Sequence, residues 1–460
     1  MAITMEEGVF ELCKNAMEKD KGFLRANPGV PAGEMNEEIF SRYRLYRLQE
    51  TVRYAYEKSR FYRRKMEEGG IRPEDIKSLE DLKRLPLTEP SDLAAKSYQF
   101  LCISQGAVEK PVTYVSSGTV GPRKHLFFSP ADVEAVIEFI RVGMKVISEP
   151  GEVLQILMPS GSVRGQAELV TEAAARMGVR AITTGIFCSS EEQIEATRNH
   201  KCTVWFGSTH MIYRITKEME RKYDLRSLGV RTMFLTIGYL SDTMRAYIEN
   251  AWNCRVINHY GLTEAGFGMA IECAEEPVYH YNEFGIIAEV INKETGEPAA
   301  DGEEGELVFT TLGREAMPLI RYRSHDIARM WRAPAACGCC LGSISPVKRR
   351  REACVTLANG SEIYPSLFDD TVYAFPQIVD YDVFYKKEED KERVRFTVEP
   401  VEGLTAEETL RLKEELSEPL SAQPAFAQGA DLEIVVLEAG ALRQGAVFKK
   451  LIRPISEAEE

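Results

Sequence analysis

The chain has no surplus of positive charge, no long apolar run and no low-complexity tract, and each absence narrows what it can be. Lysine and arginine number 57 against 71 aspartates and glutamates, a formal net charge of −14. Binding a polyanion needs a surplus of cations, so nucleic acid is not the expected partner. No stretch approaches the roughly 18 uninterrupted apolar residues of a membrane span. The nearest candidate, Ala135 to Ile147, is broken by Glu138, Arg141 and Lys145, so no membrane partner is expected either. The opening segment MAITMEEGVFELCKNAMEKDKG is acidic and lacks the basic-then-apolar order of a signal peptide, which makes the cytoplasm the expected location. The ten cysteines are too scattered in too long a chain to read as a disulfide framework.

What is present is an ordinary globular composition, 44% hydrophobic and 28% charged over 460 residues. Such a length allows about two to four domains. Residues 36 to 69 read as helical: Ile39, Tyr43, Tyr46, Leu48, Val52 and Tyr56 recur at helical spacing, and Gly69-Gly70 ends the run. Ser78-Leu79-Glu80-Asp81 is a helix-start signal ahead of Pro86. Ser129-Pro130-Ala131-Asp132 offers an N-cap, a proline at the first helical position and an acid at the third, followed by an amphipathic stretch to Ile147.

From there short apolar runs alternate with helical segments. The runs are Val153 to Met158, Ala181 to Thr184, Thr203 to Phe206, Met233 to Ile237 and Arg255 to Asn258. Strand and helix in alternation imply a mainly parallel sheet covered on both faces. After Asp326 the character changes. Asp380 to Tyr385 and Arg393 to Val398 flank a charged turn, a helix follows from Ala406 to about Leu420, and Leu432 to Leu437 is β-rich. The expected architecture is α/β: a large N-terminal body over 1–346, with a helical start to 105 and an α/β core from 106, plus a small α+β domain over 347–460.

The sharpest local signal is Tyr114-Val115-Ser116-Ser117-Gly118-Thr119-Val120-Gly121-Pro122-Arg123-Lys124, which follows the β-prone run Val112 to Val115. Glycines let backbone N–H groups approach an anion, and hydroxyls and cations add donors to phosphate oxygens. The spacing is not that of the P-loop NTPases.

The nine residues from Ser116 resemble the phosphate loop of the acyl-adenylate-forming ligases. Further pieces fall in that family's order: Tyr260-Gly261-Leu262-Thr263-Glu264, then Gly305-Glu306-Leu307-Val308-Phe309-Thr310-Thr311-Leu312, then Arg321-Tyr322-Arg323-Ser324-His325-Asp326. The run LQETVRYAYEKSRFYRRKMEEGGIRPEDIKSLEDLKRLPLT is similar to the phenylacetate–CoA ligase branch. The resemblance implies an AMP-forming acid–thiol ligase using ATP, Mg²⁺ and coenzyme A on a small carboxylic acid, aryl or arylacetic if the branch is a guide. It implies that Ser116, Ser117, Gly118, Thr119 and Gly121 hold the β- and γ-phosphates, with Lys124 assisting. Tyr260, beside Gly261, would flank adenine, Thr263 would touch the α-phosphate, and Glu264 would hold Mg²⁺. Asp326 would accept from the ribose hydroxyls, and Arg351 would reach the nucleotide.

The chain departs from the family pattern in three places. Tyr239 stands where an acid usually follows Gly238, the hinge segment Arg350 to Val355 lacks its acid, and Ala446 occupies the position of a C-terminal lysine. Lys449 or Lys450 would supply that cation only if the loop shifts by several residues. A ligase with another acceptor, or an adenine-nucleotide-binding homologue that no longer adenylates, therefore stays open beside the CoA ligase. A homodimer is left open, since the sequence does not set the oligomeric state.

Four soft donors, Cys273 with His280 and Cys337 with Cys339, fit a closed tetrahedral Zn²⁺ site. Cys340 is a rival for Cys339, Cys254 or His259 could replace one of the first pair, and a set of reduced surface thiols is the simpler alternative.

Overall fold

The alternation between 152 and 258 folds as a parallel sheet. In the computed structural model, the described residues are 4–30, 34–114, 123–162, 164–332, 336–387, 391–426, 429–443 and 450–455. They divide into two compact units: residues 1–151, 160–180 and 259–346, and residues 152–159, 181–258 and 347–460. The small C-terminal segment is thus grouped with part of the body.

In the second unit the strands Val153–Leu157, Val204–Ser208, Thr232–Thr236 and Arg255–Tyr260 pair in parallel, each with the next. Val204–Ser208 and Thr232–Thr236 are buried along their whole length. Strands covered on both faces lose any polar alternation and read as continuous apolar runs, which is why they were visible in the sequence. Helices Ser190–His200, Thr209–Met219 and Asp242–Trp252 connect them. Trp205 and Trp252 meet in the core with ring centroids 4.9 Å apart. From 347 onward, strands Ala430–Val436, Glu392–Pro400, Ile378–Lys387 and Ile452–Pro454 form a four-stranded sheet in that order, with helix Ala406–Ser421 beside it.

The first unit holds an antiparallel array, Ile286–Ile291, Glu304–Thr311, Tyr322–Trp331, Ser343–Ile344, Tyr279–Tyr281 and Ala270–Glu272. A separate hairpin pairs Lys110–Tyr114 with Lys124–Phe128. Helix Pro130–Ile147 starts at the expected capping box: the Asp132 amide donates to Ser129 Oγ at 3.1 Å and the Ser129 amide to Asp132 Oδ2 at 3.0 Å. The Asp132 carboxylate also accepts from the amides of Glu315 and Ala316, at 2.7 and 2.9 Å, so one cap fastens a distant loop.

The single helix expected over 36–69 is two, Glu37–Lys58 and Arg60–Glu68. Ser59 breaks it: its backbone is extended, and its hydroxyl accepts from the Tyr62 amide at 3.3 Å as the cap of the second helix. A serine satisfies the free amides of a new helix start better than it continues an old helix.

Desolvation pushes the rings of the half-buried His210 and His259 down from the ordinary 6.5 to about 3 and about 4 respectively. Both folded values lie below the unfolded one, so this stabilisation is present above about pH 6.5 and is lost as pH falls toward the folded values. Between about pH 7.5 and about pH 5, each ring is expected to remove about 2 kcal/mol of stability. Urea midpoints measured at the two pH values check this. A His210→Asn/His259→Asn double variant with the same pH dependence as wild type would show that other groups carry it.

Candidate active site

Three of the motifs converge on one buried charge. The pairing Tyr114↔Lys124 closes the 110–128 hairpin, so Lys124 is the first paired residue after the serine-glycine segment. Its ammonium is nearly buried and lies 3.4 Å from Glu264 Oε1 and 3.2 Å from the Tyr322 hydroxyl. The Tyr322 hydroxyl in turn donates to Glu264 Oε1 at 2.9 Å. Residues 124, 264 and 322 are thus one cluster, although 140 and 58 positions separate its successive members. A cation and a carboxylate removed from water must match each other, because leaving either alone costs about 3–5 kcal/mol.

The backbone around Glu264 is held separately. The Arg314 guanidinium donates to the Glu264 carbonyl at 2.6 Å and lies over the Phe128 ring at 5.0 Å. Gly261 is where the turn passes closest to itself, since a Cβ there would overlap the Phe267 carbonyl. Phe267 has a positive φ of 71°, a conformation that costs a bulky residue energy, and its amide donates to the Leu262 carbonyl at 2.9 Å.

A second pair lies in the same unit. The Tyr260 hydroxyl donates to Asp326 Oδ2 at 2.5 Å. Asp326 is buried, and its amide donates to Ser324 Oγ at 3.0 Å, while that hydroxyl donates to the Leu307 carbonyl at 2.6 Å. A hydrogen-bonded chain thus runs from the Leu307 carbonyl through Ser324 and Asp326 to the Tyr260 hydroxyl. Close by in sequence, Arg323 and His325 share Glu89, at 3.0 and 3.7 Å. The His325 and Arg323 contacts hold the Glu89 carboxyl down at about 2.

The remaining expected residues are placed as follows. Ser116, Ser117, Gly118, Thr119 and Gly121 lie outside the described residues, as do Ala446 and Lys449. Thr263 lies in the turn, where its carbonyl accepts from the Gly266 amide at 3.1 Å. Gly238, Tyr239 and Arg351 belong to the second unit. Any Cβ at 238 would come within 3.1 Å of His210 Nδ1. The Lys348 ammonium lies over the Tyr239 ring at 5.3 Å, and Arg351 is exposed. Lys450 is also in the second unit, with its ammonium 2.6 Å from Asp380 Oδ1 and donating to the Tyr381 carbonyl at 2.7 Å. Tyr322 and Arg314 were not singled out from the sequence. Tyr322 lay inside a quoted motif, but Arg314 carried no signal beyond following Gly313.

The metal-ligating set assembles in part. Ligand atoms of Cys273, His280 and Cys337 lie within 4.8 Å of one another, with Cys337 Sγ 3.4 Å from His280 Nε2. The register Ile271↔His280 brings the first two together, and the Cys337 amide donates to Glu276 Oε1 at 2.7 Å. Cys339, expected as the fourth ligand, is not in that group. Burial, with a hydrogen bond to the Glu6 carboxylate of the N-terminal helix, pushes its thiol up and keeps it protonated. Cys340, Cys254 and His259 do not join the group among the described residues.

Comparison with known proteins covers Lys124, Tyr260 and Glu264 by a family profile, whereas Tyr322 and Asp326 lie beyond its match. A sequence profile described as AMP-binding enzyme matches residues 115–313. The chain is 28% identical over 365 residues to a phenylacetate-coenzyme A ligase of Thermus thermophilus, covering 77% of this chain and 80% of that protein. It is 27% identical over 339 residues to a phenylacetate-coenzyme A ligase of Escherichia coli, covering 72% and 76%. In fold it is similar to a 2-hydroxyisobutyryl-CoA ligase crystallised in the postadenylation state with 2-HIB-AMP, with a TM-score of 0.79, 21% identity and 94% of each chain covered. The chain is thus similar in sequence to AMP-binding enzymes and to phenylacetate-coenzyme A ligases, and similar in fold to a solved acyl-CoA ligase.

Proposed function

We propose that the protein is an ATP-dependent, AMP-forming carboxylate–CoA ligase that acts through an acyl-adenylate, with an aryl or arylacetic acid as substrate. The observation that carries this reading is the convergence of Lys124, Glu264 and Tyr322 in one buried cluster within the unit that also pairs Tyr260 with Asp326. In the first step a carboxylate oxygen attacks the α-phosphorus of ATP and pyrophosphate leaves. In the second the thiolate of coenzyme A attacks the acyl carbon and AMP leaves. Neither step needs an acid–base pair as much as it needs charge neutralisation and in-line placement.

Residue roles follow from this reading. Ser116, Ser117, Gly118, Thr119 and Gly121 would hold the β- and γ-phosphates, and Lys124, at the end of that segment, would add a cation. Thr263 would contact the α-phosphate, Asp326 the ribose hydroxyls and Tyr260 the adenine face. Gly238 and Tyr239 would line the acid and adenine side, and Arg351 would reach the nucleotide. Glu264 is the carboxylate that would hold Mg²⁺, which when bound spreads the phosphate charge. Tyr322 and Arg314 orient Glu264 through its side chain and its carbonyl. The ammonium of Lys450 is matched by Asp380, so Lys449 is the lysine we assign to the adenylation step.

Cys273, His280 and Cys337 fit Zn²⁺, which prefers thiolate and imidazole donors. Such a metal would tie two strands to the 337 loop and add to folding stability, with no part in the reaction.

Pyrophosphate release over a panel of aryl and arylacetic acids tests the function, with thioester formation followed in the presence and absence of coenzyme A. Acid-dependent release and a CoA thioester are expected. Glu264→Gln is expected to slow adenylation by about 100-fold and Tyr322→Phe by about tenfold, the losses typical of transition-state contacts and of hydrogen bonds to charged groups. No pyrophosphate with any acid, from protein that still binds ATP, would favour the nucleotide-binding homologue. For the metal, protein purified without chelator is expected to carry close to one zinc per chain, measured by plasma emission, and Cys337→Ser to lose it. Metal-free protein with undiminished thermal stability would refute the zinc assignment.

A further inference from the structure

Arg214 lies on helix Thr209–Met219, whose other residues Ile212, Tyr213, Ile215, Thr216 and Met219 fill the core of the second unit. Its guanidinium reaches the strand pair formed by Ile378–Lys387 and Glu392–Pro400. It makes a bidentate contact with Glu399, at 2.6 and 3.1 Å, and a third bond to Asp380 Oδ2 at 3.0 Å. Asp380 and Glu399 are register partners across the two strands, so their carboxylates stand side by side. Two buried carboxylates so placed repel, and a guanidinium bridging both is what lets them stay ionised together. Burial alone would raise the Asp380 carboxyl, yet the charges of Lys450 and Arg214 hold it well below the ordinary range.

Each carboxylate then holds a different piece of the C-terminal chain. Glu399 accepts from the amides of Gly440 and Leu442, at 3.0 and 2.8 Å. Asp380 accepts from Lys450 Nζ at 2.6 Å, and that ammonium also donates to the Tyr373 hydroxyl at 2.8 Å. The backbone before residue 443 and the side chain at 450 are therefore both fastened to the acids that Arg214 bridges. A surface ion pair would do little of this, but the Glu399 side chain is 2% exposed and Arg214 14%.

We propose that Arg214 is a positioning residue for adenylation: by bridging Glu399 and Asp380 it fixes Gly440, Leu442 and Lys450, the described residues flanking Lys449. This rests on the assignment of Lys449 to the first half-reaction. On that assignment the Lys449 cation serves the attack of the acid on the α-phosphorus, not the attack of the thiol on the acyl carbon. Loss of Arg214 therefore acts on the first step more than on the second.

The test compares wild type with Arg214→Gln and Arg214→Lys in the full-length protein. Adenylation is read as pyrophosphate release with hydroxylamine as the acyl trap, and the second step as thioester formation from a supplied acyl-adenylate. Arg214→Gln is expected to lower the kcat of adenylation at least tenfold, with the KM for ATP and for the acid within about twofold and the thioester step within about twofold. Arg214→Lys, which keeps the charge but not the fork, is expected to recover part of the loss. Hydrogen exchange is the readout that does not depend on activity: the amides of Gly440 and Leu442 are expected to lose protection in Arg214→Gln while the ladder between 378 and 400 keeps its own. If Arg214→Gln does not fold, Glu399→Gln breaks the same ion pair from its other side and is read the same way. Equal loss in both half-reactions, or unchanged exchange at Gly440 and Leu442, overturns the proposal. If wild type adenylates no acid, the functional reading fails, and the exchange result alone decides the role of Arg214.

Discussion

A single matched charge, Lys124 against Glu264, is the constraint on which the candidate site depends. Neither group is solvated enough to stand alone, so the hairpin that carries the lysine and the turn that carries the glutamate have one permitted relation. Tyr322 completes the match by donating to the same carboxylate oxygen, which adds the strand Tyr322–Trp331 to the arrangement. Arg314 then holds the backbone of the turn, so the carboxylate is fixed at both its ends. Electrostatic preorganisation of this kind suits phosphoryl chemistry, in which the protein supplies placed charge and little covalent work.

The second unit repeats the same physics with other residues. Arg214 and Lys450 face the carboxylates of Asp380, Glu399 and Glu218, and hydroxyls and amides take up further acceptor capacity. Such networks specify one arrangement because a partial one leaves a buried charge unmatched. The Cys273, His280 and Cys337 group differs in kind. Its donors, two thiols and a neutral imidazole, carry no charge that must be matched, so it differs from an ion pair, and a metal would act on it as a clamp.

Much of the framework was legible because it is local. The parallel strands of 152–258 are short apolar runs between helical segments, and the cap at Ser129 and Asp132 is written in four consecutive residues. The antiparallel strands of 270–345 were not visible. Ile286–Ile291 is buried throughout, and Ala270–Glu272 and Tyr279–Tyr281 have three residues each, so no alternation of period two marks them. The break at Ser59 was hidden because the apolar spacing continues through it while only a hydroxyl changes partner.

At the site, the sequence by itself determined which residue types were available and in what order: the glycine-hydroxyl segment, Glu264, Asp326 and the soft ligands. Only the tertiary structure decided who pairs with whom. Cys339 turns to Glu6 on the N-terminal helix instead of joining Cys337, and Lys450 is taken up by Asp380. Arg214 and Arg314, indistinguishable in sequence from the other arginines, became anchors. The physical reason is range. Periodicity and capping record how a residue meets neighbours a few positions away, whereas a buried ion pair is settled by packing between segments distant in sequence and leaves no trace in local sequence.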